Sequence, residues 1–117
     1  MLSLKYFHII KNMKSNDAVN ALAALAQDSR LSVFRLLVHH APDGLTAGLI
    51  AERLELPAPT LSFHLKTLAQ AGLVSTKQEG RFVRYRAQIE AVNALINFLT
   101  DDCCAGHPEL CALKAEE

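Results

Sequence analysis

Residues 54–86 read LELPAPTLSFHLKTLAQAGLVSTKQEGRFVRYR, and this stretch decides the fold. Its first half has the period of a helix. Leu61, Leu65 and Leu68 recur at i, i+4 and i+7 and mark one buried side. Pro59 suits the first turn, where its missing N–H costs little. Gly72 closes the helix after Ala71. The period then drops to two. Leu73–Gln78 and Phe82–Ala87 read as strands around Glu79, Gly80 and Arg81. Val83 and Tyr85 face one way, and Arg84 and Arg86 the other.

Working outward, Thr46 can cap a short helix to about Leu54, and Leu56–Pro59 form a tight connector. Two short helices with a turn between them, then a hairpin, predict a winged helix-turn-helix. Upstream, Asp17 can cap a helix to about Gln27. Asp28 can cap the next, with Leu31, Phe34, Leu37 and Val38 on its apolar stripe. His39 and His40 end that helix, where they meet its negative pole. Pro42, Asp43 and Gly44 break it. Downstream, Ile89–Thr100 carries Ile89, Val92, Leu95, Ile96, Phe98 and Leu99, a wider stripe than one small core requires. The expected class is mainly α with a β-hairpin wing. Residues 1–14 read as an N-terminal extension, and 15–117 as one domain ending in a cysteine cluster.

The formal net charge of the 117 residues is zero, but the charge is unevenly spread. Pro57–Arg86 holds Lys66, Lys77, Arg81, Arg84 and Arg86 against Glu79, five minus one, or +4. Asp101–Glu117 holds one base against five acids, or −4. The basic middle can meet phosphates although the whole chain is neutral. On the second helix of the pair, spacing places Thr60, Phe63, His64 and Thr67 away from the leucines, with Ser62 and Lys66 at the margins. Thr60 and Ser62 can bond phosphates or base edges, and Phe63 can touch a thymine methyl. His64 and Lys66 can neutralise phosphates. The wing adds Lys77, Arg81 and Arg84, with Arg81 at a tip able to reach the minor groove. The expected partner is double-stranded operator DNA.

These residues together resemble the ArsR/SmtB family of metal-sensing repressors. The matching pattern is Ser62-x-His64-Leu65, then Leu68, then Ala71-Gly72-Leu73-Val74, then Gly80-Arg81 and Tyr85. The resemblance spans about Asp17 to Leu99. It implies a dimeric winged-helix repressor that leaves its operator when an inducer binds. It also implies that the first and last helices pair across a homodimer, which suits the wide stripe on Ile89–Leu99.

The three cysteines, Cys103, Cys104 and Cys111, fall within residues 103–111, with His107 between them. Their number is odd and two are adjacent, so a secreted disulfide framework is not expected; reduced thiols in a cytoplasm are. Three thiolates make a soft site for As(III) or Sb(III) as inducer. Adding His107 gives a Cys3His set suited to Zn(II) or Cd(II). The family's arsenic pattern puts a C-x-C pair in the first helix of the motif, where this chain has Thr46 and Gly48. Its zinc pattern puts histidines on the last helix, and Ile89–Thr100 has none. Any sensing therefore falls to the tail. Catalysis is not expected, because these thiols follow a helix C-terminus among carboxylates, which raises thiol pKa. No signal peptide and no membrane span are read, since about 18 consecutive apolar residues would be needed.

Overall fold

The computed structural model describes residues 13–101. Among the described residues, five helices and a three-stranded antiparallel sheet follow in the order α1 (Ser15–Leu25), α2 (Asp28–His39), β1 (Leu45–Thr46), α3 (Ala47–Leu54), α4 (Ala58–Gln70), β2 (Val74–Glu79), β3 (Phe82–Ala87) and α5 (Ile89–Thr100). This is the expected winged helix-turn-helix. The cysteine cluster Cys103, Cys104, His107 and Cys111 lies outside the described residues.

The helix starts differ in detail from the sequence expectation. Asp17 is not the cap of α1: it stands in the first turn, and its Oδ2 accepts the Lys14 backbone N–H at 3.1 Å. That back-reaching bond satisfies a free donor at the helix start and draws the helix upstream. Likewise Gln27, not Asp28, caps α2, its Oε1 accepting the Arg30 backbone N–H at 2.9 Å. Glu55 closes α3 in a left-handed conformation (φ 53°), and the Leu56 N–H bonds the Ala51 carbonyl at 3.1 Å. The turn of the motif is thus Glu55–Pro57, slightly earlier than Leu56–Pro59.

The sheet has the order β1–β3–β2. Hairpin pairs run from Val74 opposite Ala87 to Glu79 opposite Phe82. The short β1 pairs Leu45 with Tyr85 and Thr46 with Arg84. Gly44 makes this pairing sterically accessible. Its φ is +81°, and a Cβ there would meet the Tyr85 carbonyl and the Arg86 side chain. The wing is therefore stitched at its base to the chain that enters the helix-turn-helix.

One apolar core unites the elements. Val33 and Leu37 of α2, Ile50 of α3, Leu61, Leu65 and Leu68 of α4, and Leu73 are almost wholly buried. Ala18, Ala21 and Ala24 of α1 and Ala91 of α5 complete it, so those two helices approach through small side chains. Ile96, Phe98 and Leu99 of α5 and Val19 and Leu22 of α1 remain exposed. The wide stripe of the last helix is thus divided between the core and open surface.

Candidate nucleic-acid interface

The recognition helix α4 packs against α1, α2, α3 and β2. Four contacts on one rod bury a broad arc and leave a narrow one. The open arc holds Thr60, Ser62, Phe63 and Lys66, with Phe63 62% exposed. Thr60 and Phe63 stand where the helical spacing put them, and Ser62 and Lys66, expected at the margins, are exposed with them.

His64 and Thr67 do not stand on the open arc. His64 is 7% exposed, and Thr67 is half-buried with its hydroxyl donating to the Phe63 carbonyl at 3.1 Å. Thr67 lines an open cleft with Asn20, Ala24, Arg30 and Gln70, between α4 and the α1–α2 corner. The reading of both residues as part of the open face is therefore corrected. Leu61, Leu65 and Leu68 mark only the centre of the buried arc, and α1 and α2 cover one further flank. A phosphate contact from a side chain as buried as His64 would require it to leave the core.

The wing presents its residues by parity. Val83, Tyr85 and Ala87 share a face with Val74, and that face meets the core. Phe82, Arg84 and Arg86 fall on the other face, opposite Glu79, Lys77 and Ser75. Lys77 and Arg81 are exposed. At the tip, Gly80 adopts φ +61°, and the Gln78 amide donates to the Gly80 carbonyl at 2.7 Å, which closes the turn.

Arg84 is not a free cation. Its Nε donates to Glu79 Oε1 at 2.8 Å and its Nη1 to the Gly44 carbonyl at 3.1 Å. The Arg84 hydrogen bond holds the Glu79 carboxyl below its ordinary range, with the positive charges of Arg84, Lys77 and Arg86 adding to it. The charge that Arg84 offers a phosphate is thus partly neutralised within the wing. The Nε of Arg86 is buried and has no hydrogen-bond partner among the described residues.

Two residues that the sequence reading passed over belong to this picture. Phe82 is 65% exposed beside Arg81. Its parity with Arg84 and Arg86 was readable in the strand. Arg30 reaches the recognition helix from α2, its Nη1 lying 3.5 Å from His64 Nδ1. Nothing local in the sequence announces that contact. At the far end of α2 the Arg53 guanidinium of α3 donates to His40 Nε2 at 2.9 Å.

A rigid helix with one polar arc open, followed by a hairpin with exposed cations, defines a winged helix-turn-helix regulator of transcription. Comparison with known proteins gives the family. Residues 25–76 match a helix-turn-helix domain model. The HTH-type transcriptional regulator YceK of Bacillus subtilis is 32% identical over 78 residues, 65% of this chain and 77% of its own length. The transcriptional repressor SdpR of the same organism is 30% identical over 84 residues, covering 68% of this chain and 90% of its own. The solved structure of an ArsR-like transcriptional regulator from Rhodococcus sp. RHA1 superposes with a TM-score of 0.70 at 26% identity, covering 86% of this chain and 92% of that one. The chain belongs to this family of helix-turn-helix transcriptional regulators, and its winged-helix fold is similar to that of the ArsR-like regulator. These relatives are regulators of transcription. Among the described residues no helix is long and apolar enough to cross a membrane.

Proposed function

We propose that the chain is a homodimeric repressor that binds operator DNA through α4 and the wing and is released by As(III) or Sb(III) at Cys103, Cys104 and Cys111. The observation that carries the DNA-binding part is the open arc Thr60, Ser62, Phe63 and Lys66 on a helix otherwise locked into the core. In the major groove that arc reads base edges and the thymine methyl, while Lys66, Lys77 and Arg81 meet phosphates. Arg84, already paired with Glu79, contributes less. The repressor sign is supported by likeness to SdpR.

Dimerisation is supported by the exposed apolar residues Val19 and Leu22 on α1 and Ile96, Phe98 and Leu99 on α5. Those two helices touch, and a second copy would cover their apolar surface. Two recognition helices would then sit about one DNA turn apart, ~34 Å.

The inducer reading rests on donor chemistry. Among the described residues no group of three or more His, Cys, Asp or Glu is placed to hold a metal ion. The thiols all follow α5 in sequence, so binding there would act next to the proposed dimer helix. Arsenite forms three bonds to soft thiolates, which matches the cysteine count. His107 within the cluster favours a second reading, a Cys3His site for Zn(II) or Cd(II). Inducer and DNA binding must oppose each other reciprocally, by about 1–3 kcal/mol.

The test is duplex binding by fluorescence anisotropy, on an operator selected from random sequence. Arsenite, antimonite, zinc, cadmium and peroxide are added in turn. The proposal expects arsenite to release the wild type and His107→Ala, but not the triple variant Cys103→Ser, Cys104→Ser, Cys111→Ser. Release by zinc or cadmium that vanishes in His107→Ala would replace it with the divalent-metal reading. Release by peroxide alone would make the chain a thiol redox sensor.

A further inference from the structure

We propose that Arg30 and His64 are positioning residues that lock the recognition helix to the α1–α2 corner, and that the lock holds only while His64 is neutral. The proposal rests on the DNA-binding reading above and adds a control built into it. Among the described residues, His64 is the polar side chain that joins the otherwise apolar core. Burying a polar ring costs stability unless it finds a partner. Its partner is Arg30 in the first turn of α2, whose Nη1 lies 3.5 Å from His64 Nδ1.

The chemistry of the pair fixes the ring's state. A guanidinium has five donors and no acceptor, so Nδ1 must accept and the proton must sit on Nε2. That is the Nε2–H form, one of the two neutral tautomers. Arg30 is itself anchored, because its Nε donates to the Ala24 carbonyl in the last turn of α1 at 2.7 Å. One side chain thereby joins the end of α1, the start of α2 and the middle of α4. Helix α1 carries Val19 and Leu22 toward the proposed partner copy, and α4 carries the DNA-reading arc. The lock thus connects the surface that sets the dimer to the surface that reads the duplex.

Protonation would open it. Of the elements packed against α4, α2 alone turns a charge onto the ring, that of Arg30; among the described residues α1, α3 and β2 contribute none that acts on it. Burial first, and then the Arg30 charge, hold the His64 pKa below its ordinary 6.5. The unfolded chain therefore takes up the proton before the native chain does. The His64 contribution to native stability is present above about pH 6.5 and is lost as pH falls through the lower native pKa. A proton forced onto the ring removes the acceptor and sets two cations side by side.

The experiment uses the full chain with two His64 variants. His64→Asn keeps a neutral acceptor near the Nδ1 position, and His64→Leu keeps apolar bulk without one. Duplex affinity is measured from about pH 8 to pH 5 at constant ionic strength. Imidazole nitrogen NMR reports the tautomer, and backbone amide shifts at Ala24 and Thr67 report the lock without DNA. The wild type is expected to show the Nε2–H tautomer and to lose about tenfold in affinity below its His64 titration. His64→Asn should bind like wild type at neutral pH with that acid step gone. His64→Leu should bind more weakly at every pH while melting cooperatively. An Nδ1–H tautomer, an unchanged acid step in His64→Asn, or wild-type affinity in His64→Leu would each overturn the proposal. Should the wild type bind no duplex at any pH, the DNA-binding reading fails. The tautomer and the Ala24 and Thr67 shifts in Arg30→Gln then decide the lock by themselves.

Discussion

The recognition helix and the wing are held in place by different physics. Helix α4 is fixed by side chains: Leu61, Leu65 and Leu68 are 0–1% exposed, and His64 is clamped by Arg30. The wing is fixed mainly by backbone pairing, with six register pairs between β2 and β3 and the β1 stitch past Gly44, helped by side-chain bonds from Gln78 at the tip and from Arg84. The side chains near the wing tip, Lys77, Arg81 and Phe82, are free of the core. A base-reading element needs a fixed register, because hydrogen bonds to base edges tolerate little displacement. A phosphate-meeting element needs only charge within reach. The packing follows that division of labour.

The largest effect should come from the core side of α4. Leu68→Ala empties a fully buried site and should cost about 2–5 kcal/mol in denaturant unfolding, taking duplex binding with it. A loss below 1 kcal/mol would deny that side-chain packing holds this helix. Next, Gly44→Ala should destabilise by about 1–3 kcal/mol, through a positive φ and a collision with the Tyr85 carbonyl. Its damage should centre on the wing, visible as faster amide exchange in β3 than in α4. Equal exchange in both would blur the distinction between the two regions.

Smaller effects should separate charge from fold. Arg81→Ala should leave stability within about 0.5 kcal/mol, while lowering affinity for all duplexes alike and the salt slope by about 1. Smallest of all, Glu79→Gln should release Arg84 from its exposed carboxylate and slightly raise duplex affinity, with no measurable change in melting. The pH dependence of that pair has a definite sign. The Glu79 carboxyl is held low, so the pair is intact above the ordinary carboxylate range and is lost only in stronger acid. A rise in binding already complete at mildly acid pH would have to come from other groups.

The fold was legible where its cause is local. The leucine spacing of α4, the closing Gly72 and the period-two run from Val83 to Arg86 each specify their element from adjacent residues. The strand β1 was not legible, because Leu45 and Thr46 become a strand only by pairing with Tyr85 and Arg84 far along the chain. His64 was assigned to the wrong side: it lies three residues after Leu61 and four before Leu68, so helical spacing itself sets it beside the leucines. For Thr67, helical spacing gives the direction of the side chain, but the width of the buried arc depends on how many neighbours close around the helix. Thr60 and Phe63 were placed on the open face and Ser62 and Lys66 at its margins, and all four are exposed, Phe63 and Lys66 opposite the leucines and Thr60 and Ser62 on the flanks. Arg84 was placed among the DNA-facing cations of the wing, and its ties to Glu79 and Gly44 were not legible because they exist only once the hairpin and β1 have met.

The most direct test of the division between helix and wing is the ratio of affinities for the selected operator and a scrambled duplex of equal length. It should be measured for wild type, Phe63→Ala and Arg81→Ala at one salt concentration. The account predicts that Phe63→Ala lowers the ratio by weakening the operator alone, whereas Arg81→Ala weakens both duplexes and leaves the ratio unchanged. A ratio that falls with Arg81→Ala and holds with Phe63→Ala would contradict it, and would assign sequence reading to the wing.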